Sequence, residues 1–169
     1  MTIALGVLSQ SGIVIAADSQ EGTGRSGDMK LSTTKISLAS SVHWEGQSLV
    51  SRMIAITGAG EAGYLDAIKQ NLVDAFNGSP NSSIAECQQI LKQTIAAFYQ
   101  DHIMPFKPSD WGNLEPDLII GVCINNERRL WISDRTTLTR SDSVVAVGAG
   151  DSWARQAIKG FASPLADER

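Results

Sequence analysis

The order of elements legible in the sequence predicts an α+β fold in which packed antiparallel sheets are covered by helices. Three observations carry this expectation. The chain opens on a β-hairpin, two helices follow one another with no strand between them, and three strand-like runs precede a last helix. Alternating βαβ units are absent, which argues against a doubly wound parallel sheet.

Residues 2–8 alternate, with Ile3, Leu5 and Val7 on one face and Thr2, Ala4 and Gly6 on the other; residues 13–17 form the short apolar run IVIAA. Both have the signature of strands. Between them lies Ser9-Gln10-Ser11-Gly12, a polar connection ending in Gly, so the two strands pair as an antiparallel hairpin. A Gly- and Ser-rich stretch runs from Glu21 to Thr34, followed by a short apolar segment at Lys35 to Ala39 and a strand at Met53 to Thr57. The residues between, which include His43 and Trp44, are ambiguous between strand and loop.

From Gly60 to Asn77, apolar Leu65, Ile68, Leu72 and Phe76 recur at helical spacing, and Gly78 stands at the C-cap position. Ser83 followed by Glu86 forms a capping box ahead of a second stripe made of Ile84, Cys87, Leu91, Ile95 and Phe98. After a Pro-punctuated loop from Met104 to Pro116 come DLIIGVCI, RLWIS and SVVAV, the first two separated by a turn at Asn125-Asn126-Glu127. A last helix is expected to start near Asp151 and to stop by Gly160 or Pro164.

The chain has 169 residues, 43% of them apolar, which suits one domain over residues 1–169 that buries roughly two-thirds of its unfolded surface. Fourteen Lys and Arg against eighteen Asp and Glu, with no block of one sign, leave no electrostatic footprint for nucleic acid or anionic lipid. No apolar run approaches the roughly 20 residues of a membrane span, and the start MTIALGVLSQSG lacks the features of a secretory signal, so the cytoplasm is expected. Cys87 and Cys123 are expected to be reduced structural residues, and no His or Cys pair has metal-ligand spacing, so neither metal nor cofactor is implied.

A hydroxyl nucleophile needs a base, and the α-amino group of the same residue can serve, since its pKa of roughly 8 lies near working pH. A chain beginning Met1-Thr2 supplies this once Met1 is removed, although Met-Thr alone is a weak signal. The context adds to it. TIALGV at residues 2–7, SGIVIAADS at residues 11–19 and Lys35-Ile36 together resemble the opening of proteasome β subunits and of the related bacterial two-component protease, which are N-terminal-nucleophile hydrolases. The resemblance implies a four-layer αββα sandwich with a shortened C-terminal part, and matches Thr2, Asp18 and Lys35 to the family's nucleophile, the Asp ending its second strand and the Lys after its Gly-rich loop.

In that scheme Lys35 lowers the pKa of the Thr2 hydroxyl and amine, and Asp18 keeps Lys35 charged and oriented. Singly, Asp18 reads as a strand-end turn residue and Lys35 as a surface charge; the ordered triplet favours the catalytic reading. IAITGAGEAG at residues 54–63 is similar to the family's strand and Gly-rich turn, where one amide donates to the oxyanion. Gly58 holds that position, and Ile56 is implied to line the pocket for the residue before the cleaved bond.

Gly58, Gly60 and Gly63 also spell the dinucleotide fingerprint, but that motif requires a second strand ending in Asp or Glu about 20 residues on, where SPNSSIAECQQ begins a helix instead. VVAVGAGDSWA at residues 144–154 resembles the family's strand, Gly-Ser-Gly turn and helix start, with Ala149 in place of the Ser; Asp151 reads equally as an N-cap. The resemblance therefore implies a threonine-type peptidase acting on polypeptides, homo-oligomeric and ring-forming, served by an ATP-dependent unfoldase. Ala149 favours the alternative, a non-catalytic assembly subunit.

Overall fold

The computed structural model describes residues 3–22, 30–32, 34–79 and 83–162. The described residues form an α+β structure with antiparallel sheets and four α-helices. Strands β1 (Ala4–Leu8) and β2 (Ile13–Ala17) form the expected hairpin, closed by Ser9, whose amide donates to the Gly12 carbonyl at 2.8 Å. Strand β10 (Val144–Val147) pairs with the other side of β1, giving a three-stranded sheet in the order β10-β1-β2.

Short strands β3 (Gln20–Gly22) and β4 (Lys30–Ser32) pair with each other. A five-stranded sheet runs in the order β5 (Ser37–Glu45), β6 (Ser48–Ala59), β7 (Asp117–Ile124), β8 (Glu127–Asp134) and β9 (Thr137–Ser141). The segment holding His43 and Trp44 is thus half of a long hairpin. Its two-residue loop begins at Gly46 with φ +60°, the Gly-first arrangement whose twist matches paired strands.

Alternation along β6 and β7 divides the core. Ile54 and Ile56, with Leu118, Ile120, Val122 and Ile124, pack against α1 (Ala62–Gly78) and α2 (Ile84–Phe98). The opposite face meets the three-stranded sheet, with Ala4, Ala59, Ile119, Leu130, Val145 and Val147 between the two. On β1 it is the small-residue face, Ala4 and Gly6, that turns inward. The sheets lie so close there that a Cβ on Gly6 would stand 2.7 Å from Ile119 and 2.9 Å from Leu130. The bulkier Ile3 instead lies against Gly150, at the start of α4 (Asp151–Ala162), which packs on β10 and β1.

Both long helices start on side-chain caps. Glu61 accepts from the Tyr64 amide at 2.9 Å, and Ser83 accepts from the Glu86 amide at 3.3 Å. Buried Arg52 of β6 reaches the far end of α1, donating to the Phe76 carbonyl at 2.6 Å and to the Ser79 carbonyl, with its guanidinium 4.5 Å over the Phe76 ring. A cation there suits the negative end of the helix dipole. A π-helical turn at Tyr99–Ile103 continues α2 up to the Pro-punctuated loop, and the loop itself contains helix α3 (Pro108–Leu114), with Pro108 in its first turn. Among the described residues no helix is long and apolar enough to cross a membrane.

Candidate active site

The start of β1, the ends of β2, β6 and β10 and the approach to β5 converge at one end of the packed sheets. Register brings Asp18 beside Ile3, one step past the Ala4–Ala17 pair. The Asp18 amide donates to the Ile3 carbonyl at 3.0 Å, and the Ile3 amide donates to Asp18 Oδ2 at 2.9 Å. The other oxygen, Oδ1, accepts from Lys35 Nζ at 2.5 Å, with the two side chains only 27% and 9% exposed. One carboxylate thus fastens the beginning of β1 to a nearly buried ammonium through charge-assisted bonds. Thr2, the expected nucleophile, lies outside the described residues.

Lys35 is held by its main chain as well. Its carbonyl accepts from Thr57 Oγ1 at 3.1 Å and from Lys69 Nζ at 3.5 Å; Thr57 and Lys69 are both buried, and Lys69 pairs further with Asp66 at 2.8 Å. Neither residue stands out in the sequence as part of a site. Thr57 is hidden between two motif residues, and Lys69 differs from a solvated helix lysine only in falling on the same helical face as Leu65, Ile68, Leu72 and Phe76.

Gly58 sits next to Thr57 near the end of β6. Leu118, its partner on β7, sends its amide the other way, to Ser133 Oγ on β8 at 2.8 Å, so Gly58 and Leu118 form a pair of the non-hydrogen-bonded kind. The Gly58 amide therefore points away from β7. Extending the β5–β6 register two residues beyond the Ser37–Ile56 pair sets Lys35 across from it. Ile56 is not brought to this opening: its side chain is fully buried in the core against the helices.

A cleft of about 690 Å³ opens at the same end, bounded by Gly60, Asp117, Gly148, Ala149 and Asp151. Ala149 contributes no hydroxyl to it. Asp117 has its carboxyl held above the usual carboxylate range, by burial first and then by Glu115 and Asp134. A raised carboxyl leaves stability untouched below its ordinary value near 3.8 and lowers it as pH climbs through the folded-state value. Asp117 is open to solvent, which screens most of this effect, so Asp117→Asn is expected to raise the melting temperature only slightly at pH 7 and to leave it unchanged near the acid end of the titration, as read by scanning calorimetry at both pH values.

The thiols are not candidates for the chemistry. Cys87 is buried among α1 and α2 residues, and burial pushes its thiol up to about 11, outweighing the opposing effect of Arg52. Cys123 is partly exposed. Iodoacetamide at pH 8 is expected to alkylate Cys123 alone in the folded chain and both residues after denaturation, counted by intact mass. Among the described residues no group of three or more His, Cys, Asp and Glu is placed to hold a metal ion. The Gly58–Gly63 motif does not sit in a βαβ unit, since α2 follows α1 directly and β6 and β7 run antiparallel.

No family model and no curated protein matches the chain. Solved structures do. Anbu (ancestral beta-subunit) from Yersinia bercovieri superposes with a TM-score of 0.67 at 17% identity, over 94% of this chain and 65% of that one. Anbu from Hyphomicrobium sp. strain MC1 gives a TM-score of 0.65 at 13% identity, over 93% and 64%. The Gly-1 mutant of Anbu from the same strain gives 0.65 at 16% identity, over 88% and 61%. The chain spans less than two thirds of the length of each. At such identities the likeness is one of fold, over the part of the ancestral beta-subunit structures that the chain spans.

Proposed function

We propose that the chain is a single-domain threonine-type N-terminal-nucleophile hydrolase of αββα layering, in which Thr2, freed by removal of Met1, cleaves peptide bonds. The observation that carries this reading is the Asp18 carboxylate, bonded at once to Lys35 Nζ and to the amide that joins residue 2 to the chain. That arrangement supports a cation close to the chain start, where it favours the neutral amine needed as a base.

The Thr2 Oγ attacks the substrate carbonyl while its proton passes to the α-amine; the tetrahedral oxyanion takes a hydrogen bond from the Gly58 amide. The amine then returns the proton to the leaving nitrogen as the C–N bond breaks, leaving an ester on Thr2. Water, deprotonated by the same amine, hydrolyses that ester and restores the hydroxyl. The reading extends to a polypeptide substrate, a cytoplasmic homo-oligomeric ring and an ATP-dependent unfoldase that feeds it. Ile56 serves the substrate pocket only if the core around it opens to admit a side chain.

A second reading, a non-catalytic assembly subunit, is favoured by Ala149 at the end of β10 beside the start of β1, where the resembling family has a hydroxyl. One experiment separates the two. Intact mass establishes loss of Met1, and the mature chain is then exposed to a threonine-directed epoxyketone and to a fluorogenic peptide. The hydrolase reading expects one label per chain and hydrolysis, both abolished in Thr2→Ala with an unchanged circular dichroism spectrum. A mature chain that neither labels nor cleaves supports the assembly subunit, and activity surviving in Thr2→Ala removes the proposed nucleophile.

A further inference from the structure

The β5–β6 ladder stops one bond short of the candidate site. Its last pair is Ser37–Ile56, and main-chain groups of β6 face β5 at every second residue, so the next bond would run from the Gly58 amide to the Lys35 carbonyl. Lys35 and Ile36 lie outside β5, and that bond is not made. The Lys35 carbonyl is turned to side chains instead, accepting from Thr57 Oγ1 at 3.1 Å and from Lys69 Nζ at 3.5 Å. A carbonyl oxygen has two lone pairs, so two donors from off the ladder occupy it. Both donors are buried. Lys69 is the one charged member of the buried α1 face formed with Leu65, Ile68, Leu72 and Phe76. An ammonium in that position is unfavourable unless it is bonded, and its bonds go to Asp66 and to this carbonyl.

We propose that Thr57 and Lys69 are positioning residues that keep the Gly58 amide open for an oxyanion, by drawing the Lys35 carbonyl out of the ladder it would otherwise complete. The oxyanion rests on the hydrolase reading above; the control of the amide stands without it. In a regular ladder the Gly58 amide is spent on Lys35, and an amide already bonded stabilises a developing charge only after that bond breaks. Gly58 is buried, so an amide kept from its ladder acceptor costs stability until another oxygen meets it. A negatively charged oxygen meets it best, since charge-assisted bonds are the stronger ones. The same two side chains fix the main chain from which the Lys35 side chain reaches Asp18. One peptide group thereby sets both the ammonium and the amide.

Hydrogen exchange at the Gly58 amide, read by NMR on the full chain, tests the geometry apart from the chemistry. The double variant Thr57→Val, Lys69→Met removes both donors and keeps side chains of similar size. The Lys35 carbonyl is then expected to turn into the ladder and accept from Gly58, slowing exchange of that amide by ~10-fold or more. Under the hydrolase reading, kcat for a fluorogenic peptide falls by ~10²-fold while KM stays within about twofold, because the bond lost exists only in the transition state. Thr57→Ser restores the donor lost in Thr57→Val and is expected to rescue both readouts. If circular dichroism shows the double variant unfolded, the isosteric Thr57→Val alone carries the test in the same directions. Unchanged exchange at Gly58 in a folded variant overturns the proposal, and so does slowed exchange with undiminished kcat. A slowed amide in a chain whose unsubstituted form hydrolyses nothing upholds the control of Gly58 and removes the hydrolase reading alone.

Discussion

Under the hydrolase reading, Asp18→Asn is expected to cut peptide hydrolysis by about 10³-fold, because it disturbs the cation that keeps the α-amine neutral, and a proton-transfer group of that kind contributes ~10²–10⁴. The carboxylate accepts from two donors on separate oxygens, Lys35 Nζ and the Ile3 amide. An Asn side chain has one acceptor oxygen and an NH₂ that faces whichever donor is left, so one of the two bonds is replaced by a repulsive contact. Lys35 also loses the negative charge beside its nearly buried ammonium. The stability cost is expected to be about 2 kcal/mol, below the ~3–5 kcal/mol of a fully buried broken pair, because Asp18 retains some contact with water.

Combining the change with Lys35→Met removes both charges together and should recover part of the lost stability without recovering activity. Thermal melts and peptide hydrolysis on the three variants separate the structural share of the pair from its chemical share. Wild-type turnover in Asp18→Asn would remove the carboxylate from the mechanism, however short its bond to Lys35.

What could be read from the chain follows from where the signals are local. The β1–β2 hairpin and the Ser83 capping box were legible because each is specified within a few residues. Strand β9 was not, since only Leu138 of Thr137–Ser141 is buried and the turn before it carries Arg135 at φ +51°, a place where Gly or Asn is the ordinary signal. The strand at Ser37–Glu45 was half-legible for a different reason. Its apolar residues Leu38, Val42 and Trp44 face outward and its helix-facing residues are mostly small or polar, so alternation misreports which side is core. Helix α3 was concealed inside a Pro-rich stretch because Pro108 opens a helix as readily as it ends one.

The candidate site divides along the same line. Asp18 and Lys35 were suggested by ordered motifs, and the structure joins them in one ion pair. Thr57 and Lys69 reach the Lys35 carbonyl from a strand and a helix distant in sequence, so no local pattern announces them. Arg52 was missed because its role, closing the end of α1, exists only once β6 lies against that helix.

Gly58→Ala is expected to lower the melting temperature by roughly 6–12 °C, the equivalent of about 3 kcal/mol in a chain of this size. The cause is steric and does not involve catalysis. A Cβ at this position would run into the Asp117 carbonyl oxygen and stand 3.0 Å from Leu65 Cδ1. The first obstacle is main chain of the neighbouring strand, which cannot swing aside as a side chain can, so β6 and β7 must part locally. Moving β6 also moves the Gly58 amide relative to Lys35. Under the hydrolase reading, turnover should therefore fall by a further ~10²–10³-fold among molecules that remain folded, the usual consequence of losing one oxyanion donor.

Gly78→Ala supplies the control, because a Cβ there meets nothing within 4 Å and the position belongs to a helix, where Ala is the better former. Its melting temperature should equal or exceed that of the unsubstituted chain. The two readouts have separate meanings. A stability loss without any activity to lose identifies Gly58 as a packing requirement of the β6–β7 crossing, whereas a Gly58→Ala chain that melts with the unsubstituted protein contradicts the close approach of Asp117 from which both expectations follow.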